Sequence, residues 1–279
     1  MEKDLRKLLS GYGISFKKAF GQNFLSDETL LSEIAESAGV CEEDTVIEIG
    51  CGAGTLTREL CRRAKKVIGY EIDSSLKPLL SDVLREFKNV TVVYKDVMKE
   101  RLSDIEKLAG GKYKIVANLP YYITTPIVMR FLEESRNLVS MSVMVQEEVA
   151  RRFAAKPATP DYGAITVGIN LRGGAEIVKF VPREKFTPAP NVDSAVVKID
   201  LDSEKNKRAD FSAVREAVRA GFSGRRKMLV NNLINFYKMN RTEAESVLNS
   251  AGISLTARGE TLSAEDYIRL AEKIKNAKR

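Results

Sequence analysis

Apolar residues recur along this chain in two rhythms. From Thr45 to Val145, short β-branched runs alternate with stretches of helical period. The runs at 45–49, 67–72, 90–94, 114–117 and 142–145 predict strands that are apolar on both faces, as burial in a parallel sheet requires. Between them, the segments starting at Thr55 and spanning 75–87, 101–108 and 125–134 predict helices. An earlier helix carries Leu30, Leu31, Ile34 and Ala38 on one face, is capped by Ser26 or Asp27, and ends at Gly39. Strands alternating with helices imply a parallel sheet covered on both faces.

The rhythm changes after Val145. Runs at 164–171 and 175–181, joined by Arg172-Gly173-Gly174, predict an antiparallel hairpin, and 194–201 predicts a further strand. Beyond a polar, charged run at 202–210 only helical patterns remain, at 211–221, 225–237, 241–250 and 264–276. The expected division is therefore an α/β domain over residues 1–204 and a small all-helical domain over residues 205–279. Residues 1–20 read as a basic amphipathic segment with Leu5, Leu8, Leu9, Lys17 and Lys18.

Charge sharpens this division. The net charge of +7 is unevenly placed: residues 205–279 carry 16 Lys and Arg against 8 Asp and Glu. A basic helical domain is the footprint of a polyanionic partner. Arg225, Arg226 and Lys227, read as the start of a helix, are the candidate phosphate contacts.

The chain has no histidine and three cysteines, Cys41, Cys51 and Cys61, with no Cys-x-x-Cys pair. This argues against a Ser-His-Asp triad, a metal site and a disulfide framework. No apolar run is long enough to cross a membrane, and the N-terminus lacks the apolar region of a signal peptide. A soluble, cytoplasmic protein is expected.

The candidate chemistry lies at the ends of the predicted strands. Glu48-Ile49-Gly50-Cys51-Gly52-Ala53-Gly54 places a glycine turn between a strand and a helix, the geometry that brings backbone close to a nucleotide-like ligand. Glu71, 21 residues beyond Gly50, ends the next strand and can accept from both ribose hydroxyls. Asp96 follows the third strand and can accept from an adenine amino group. The glycine spacing is not that of a dinucleotide site, and an acidic Glu48 suits a cationic amino acid moiety better than a pyrophosphate. An oxidoreductase is the remote alternative.

Asn118-Leu119-Pro120-Tyr121-Tyr122 ends the fourth strand. Pro120 keeps Leu119 out of the helical region, so the Asn118 side-chain oxygen and the Leu119 carbonyl can converge on one exocyclic amino group. Tyr121 can stack on the base that carries it, provided that base is unpaired or flipped out.

These segments resemble the KsgA-type small-subunit rRNA adenine dimethyltransferases. The resemblance extends over Gly21-Gln22-Asn23-Phe24-Leu25, the Glu48–Gly54 loop, Glu71, Asp96, Asn118–Tyr121, Phe186-Thr187-Pro188-Ala189-Pro190-Asn191-Val192-Asp193-Ser194, and Gly224–Leu233. It implies a Rossmann-like S-adenosylmethionine-dependent methyltransferase sheet closed by an antiparallel hairpin, with a helical C-terminal domain. It implies that Asn23 and Leu25 close over S-adenosylmethionine, that Gly50 meets its methionine part, that Glu71 holds the ribose and Asp96 the adenine, and that Asn118 serves both donor and target. Tyr121 and Phe186 would sandwich the target adenine. The implied activity is methyl transfer to N6 of two adjacent adenines near the 3′ end of small-subunit rRNA, with no metal, by a monomer acting on a pre-assembled small subunit. A large-subunit rRNA methyltransferase and an assembly factor acting mainly by binding are the alternatives.

Overall fold

The computed structural model describes residues 7, 9–14, 23–202 and 211–277. Leu5, Leu8, Lys17 and Lys18 of the expected amphipathic segment, Gly21 and Gln22, and the expected division at 204/205 lie outside them. The chain packs as two units, one of residues 1–150 and 176–201, the other of residues 151–175 and 202–279.

The first unit is built on a seven-stranded sheet. Its strands are β2 (Thr45–Ile49), β3 (Lys66–Glu71), β4 (Val90–Tyr94), β5 (Tyr113–Asn118), β6 (Leu138–Gln146), β7 (Gly173–Val181) and β9 (Ser194–Leu201), in the order β4-β3-β2-β5-β6-β9-β7. β4, β3, β2, β5 and β6 are parallel, and β9 runs antiparallel to β6. A separate two-stranded ribbon pairs β1 (Phe24–Leu25) with β8 (Phe186–Thr187).

Helix α1 (Glu28–Ser37) precedes β2, and a helix follows each parallel strand: α2 (Thr55–Arg63), α3 (Lys77–Val83), α4 (Leu102–Ala109), α5 (Thr124–Glu134) and α6 (Glu147–Phe153). α1 starts where Asp27 accepts from the Leu30 amide. The expected helix at 75–87 divides into a 3₁₀ turn at Ser74–Leu76 and the shorter α3, with Pro78 in its first turn. The central strands are apolar because they are enclosed: Val46, Ile47, Val67, Ile68, Ile115 and Val116 have no accessible surface.

The predicted pairing of 164–171 with 175–181 does not form; β9 and β7 close the sheet instead. Residues Ala164–Asn170 are helix α7, and the antiparallel strand of the sheet is β9, with β7 outside it. The alternation of Ile165, Val167 and Ile169 reads as a strand, but tertiary packing overrides that preference. The Gly163 amide donates to the Thr166 hydroxyl, which donates to the Arg152 carbonyl at 2.6 Å. Val167 and Leu171 enter the core of the second unit.

That second unit is otherwise α8 (Phe211–Phe222), α9 (Leu229–Tyr237), α10 (Arg241–Ser250) and α11 (Ala264–Ala277). Its core includes Val214, Leu229, Leu233, Leu248, Tyr267 and Leu270. α9 begins at Leu229, so Arg225, Arg226 and Lys227 lie in the turn before it rather than on a helix. Asn232 holds this turn, donating to the Gly221 carbonyl at 2.8 Å and the Gly224 carbonyl at 3.2 Å.

Candidate active site

A cleft opens in the first unit at the carboxyl ends of the parallel strands. Its lining includes Asn23, Leu25, Glu48, the Gly50–Ala53 loop, Glu71, and Asn118 to Tyr122. Most of the residues proposed from the sequence are thus brought to one place, where ligands bind in sheets of this kind.

The glycine loop is tightly folded. Gly50, Gly52 and Gly54 all take positive φ, and a Cβ at Gly52 would also meet the Phe24 ring at 3.0 Å. Glu48 lies under the loop with 1% of its surface exposed, and its Oε2 has no hydrogen-bond partner among the described residues. Burial lifts its carboxyl to about 8, and the charge of Glu71 adds to the shift. A buried, unmatched carboxyl oxygen in a cleft wall is costly unless a ligand completes it. It fits a cationic group.

Glu71 sits at the end of β3. Its Oε2 accepts from the Gly52 amide at 2.9 Å and its Oε1 from the Asp73 amide at 2.8 Å. Burial raises its carboxyl, and those two amides pull it back. Each oxygen keeps a further lone pair for a hydroxyl donor.

The turn after β5 is fixed from three sides. The Asn118 Nδ2 donates to the Asn23 carbonyl at 2.9 Å, which sets the amide so that Oδ1 is left to accept. The Leu119 amide donates to the Met144 carbonyl at 3.2 Å, and the Pro120 carbonyl accepts from the Ile123 amide and the Thr124 hydroxyl. Neither Asn118 Oδ1 nor the Leu119 carbonyl accepts from another described residue. The Tyr121 hydroxyl shares a 2.7 Å hydrogen bond with Ser194, a buried residue that opens β9. Burial raises the Tyr121 hydroxyl, with Ser194 partly offsetting it.

Two expected residues do not line the cleft. Phe186 is 2% exposed: β8 pairs with β1 so that Phe186 is the partner of Leu25, and both belong to one core cluster. It packs beside Leu25, whose side chain lines the cleft. Asp96 stands two residues beyond β4, where its Oδ1 accepts from the Met98 amide at 3.0 Å.

Two contributors escaped the sequence reading. Ser194 positions Tyr121, and Thr55 donates to the Leu25 carbonyl at 2.7 Å, tying the β1 strand to α2. Ser194 is the last residue of the Phe186–Ser194 motif and Thr55 directly follows the glycine loop, and only their spatial partners reveal the role.

In the second unit, Arg225 and Lys227 have different surroundings. Arg225 pairs with Glu260 at 2.9 Å and donates to the Pro160 carbonyl. Arg226 and Lys227 are exposed and make no described ion pair.

A parallel sheet with a glycine loop after its first strand, a carboxylate ending the second and an Asn-Leu-Pro-Tyr turn ending the fourth defines a Rossmann-like methyltransferase. Comparison with known proteins narrows that class. The family model described as "Ribosomal RNA adenine dimethylase" matches residues 13–276, and the chain belongs to this family. A relative from Geobacillus thermodenitrificans, named "Ribosomal RNA small subunit methyltransferase A", is 43% identical, with 98% of each chain covered. One of the same name from Bacillus licheniformis is 42% identical, with 99% of each chain covered. Among solved structures, a dimethyladenosine transferase from Plasmodium falciparum shares the fold with a TM-score of 0.80 at 24% identity, over 91% of this chain and 98% of the other. A 23S rRNA methyltransferase, ErmE, has a TM-score of 0.68 at 29% identity, over 91% of this chain and 100% of the other.

Proposed function

We propose that this enzyme transfers methyl groups from S-adenosylmethionine to N6 of two adjacent adenines near the 3′ end of small-subunit rRNA, giving dimethyladenosines within a pre-assembled small subunit. The observation that carries the chemistry is the turn after β5, where Asn118 Oδ1 and the Leu119 carbonyl are left to accept once their neighbours are bonded elsewhere. An adenine amino group has two hydrogens and one nitrogen lone pair delocalised into the ring. Two acceptors that hold both hydrogens turn that lone pair toward an electrophile.

S-adenosylmethionine supplies a methyl group already activated on a sulfonium. The chain's own residues bind and align. Glu48 offers its unmatched oxygen to the donor's ammonium, and Gly50 lets the backbone approach the methionine part. Glu71 takes the ribose hydroxyls, and Asp96, past the end of β4 and one strand over from Glu71, takes the adenine end where the donor extends beyond the cleft lining. Asn23 and Leu25, held by Asn118 and Thr55, form the wall over the donor.

Tyr121 presents its ring to the target adenine, braced by Ser194. As the N–C bond forms, the C–S bond breaks, and the methylated nitrogen releases its proton to water. No histidine is needed, because in-line displacement requires only alignment. Arg226 and Lys227 contact rRNA phosphates from the second unit, with Arg225 bracing their turn. The working form is a cytoplasmic monomer.

The choice of small over large subunit rests on the names of relatives identical at 42–43%. The test is transfer of labelled methyl groups to unmethylated small subunits and, separately, to large-subunit rRNA, followed by mapping of the modified base. Label on two adjacent small-subunit adenines is expected. Label confined to large-subunit rRNA would sink this reading.

A further inference from the structure

The end of β3 touches the glycine loop at three successive residues. The Tyr70 carbonyl accepts from the Gly50 amide at 2.7 Å. Glu71 Oε2 accepts from the Gly52 amide at 2.9 Å. Gly69 contributes the absence of a side chain. A Cβ built on Gly69 would lie 2.3 Å from Cys51 Sγ, closer than atoms can approach without movement. The next neighbours of that Cβ would be Val92 Cγ2 at 3.8 Å and Cys51 Cβ at 3.9 Å, both ordinary contacts. The Gly69 backbone does not have the positive φ of the loop glycines, so alanine suits it in every respect except the sulfur.

Glycine is a poor strand residue, and inside a strand it commonly marks a close approach. Here the approaching group is the side chain of Cys51, which is 4% exposed and sits between Gly50 and Gly52. With its sulfur in the Gly69 notch, Cys51 has one seat, and the amides on either side of it reach Tyr70 and Glu71 together.

We propose that Gly69 is a positioning residue for the methyl-donor pocket, acting through Cys51. Filling the notch lifts the loop off β3, breaking the register of the Gly50 and Gly52 amides and shifting the wall that the donor meets. This rests on the reading of the loop as the donor site.

The test is a double-mutant cycle on the full chain: wild type, Gly69→Ala, Cys51→Ala and the double variant. S-adenosylmethionine binding is measured by titration calorimetry, and unfolding midpoints and KM for both substrates alongside. With Cys51 in place, Gly69→Ala is expected to weaken S-adenosylmethionine binding by about tenfold or more, since displacements of an ångström in a site carry penalties of that order. In the Cys51→Ala background the same change is expected to cost less than about twofold, because the clashing atom is gone. KM for the donor rises, and KM for the RNA does not.

An equal loss in both backgrounds, or none in either, overturns the proposal. So does a loss that falls equally on donor and RNA. Should Gly69→Ala alone fail to fold, the double variant decides: donor binding within about twofold of Cys51→Ala supports the notch, and a folded but non-binding double variant overturns it. A wild type that binds no S-adenosylmethionine removes the donor reading itself, a different failure from an uncoupled cycle.

Discussion

Two turns carry the most recognisable residues of this chain, and they are built on opposite principles. The turn after β5 fixes its polar atoms one by one. Asn118 is tied to Asn23, Leu119 to Met144, and Tyr121 to Ser194. The turn between α8 and α9 fixes its backbone instead, through Asn232 and the Arg225–Glu260 pair, and leaves Arg226 and Lys227 in solvent. A methyl acceptor must be aligned within a fraction of an ångström, so each group in the first turn has one position. Phosphates are attracted over distance by charge, so the second turn needs only a held loop and free cations.

The largest predicted effect breaks the first turn. Asn118→Ala should lower kcat by about 100- to 1,000-fold, the range for removing one preorganised polar group from a reacting centre. S-adenosylmethionine binding by calorimetry should change by less than about tenfold, a loss that affects the transition state more than the ground state. Turnover at the wild-type rate would remove the amino-group pocket.

The second turn should respond to charge alone. Removing Arg226 and Lys227 together should weaken rRNA binding by about tenfold at moderate salt and reduce the slope of log K against log salt by about 2. kcat at saturating RNA should hold. An unchanged slope would mean that these cations face no phosphate.

A smaller effect links the donor loop to pH. The Glu48 carboxyl stands at about 8 in the free protein, so it is largely protonated at neutral pH. A cationic donor favours the carboxylate, and its binding then expels a proton. Affinity should therefore rise with pH, by up to about tenfold per unit between roughly pH 6 and 7, and Glu48→Gln should flatten that rise. The effect on stability has the opposite sense. A carboxyl raised on folding keeps its full contribution below its unfolded value, near 4.5, and loses it progressively up to about 8, so the donor-free protein should weaken across that window. Affinity that is flat with pH in the wild type would leave Glu48 without this role.

The smallest effect separates Arg225 from its neighbours. Arg225→Ala should cost about 1 kcal/mol of stability, because its ion pair is partly exposed and its carbonyl contact is a single hydrogen bond. The salt slope should change by less than that of either neighbour. A full unit of slope lost with Arg225 would erase the distinction between bracing and binding.

Much of this was legible along the chain because the determinants are local. The strands and helices from Thr45 to Gln146 follow from periodicity, and the ends of β2, β3 and β5 carried their chemistry in adjacent residues. The alternation at 164–170 misled because the helix α7 is stabilised by the second unit's core, which no local pattern displays. The same holds for the placing of 151–175 with the C-terminal helices. Phe186, expected beside the target base, is buried with its strand partner Leu25 in one core cluster, a placement that only the fold decides.

The sequence by itself determined which residues could do chemistry, because glycine, carboxylate, amide and proline impose their properties wherever they stand. Tertiary structure decided which of their atoms remain available. Asn118 Oδ1 is an acceptor because Nδ2 found Asn23, 95 positions away, and Glu71 holds the loop because β3 lies beside β2. Hydrogen-bond partners brought together from distant parts of the chain are satisfied only on folding, and what they leave unsatisfied is the site.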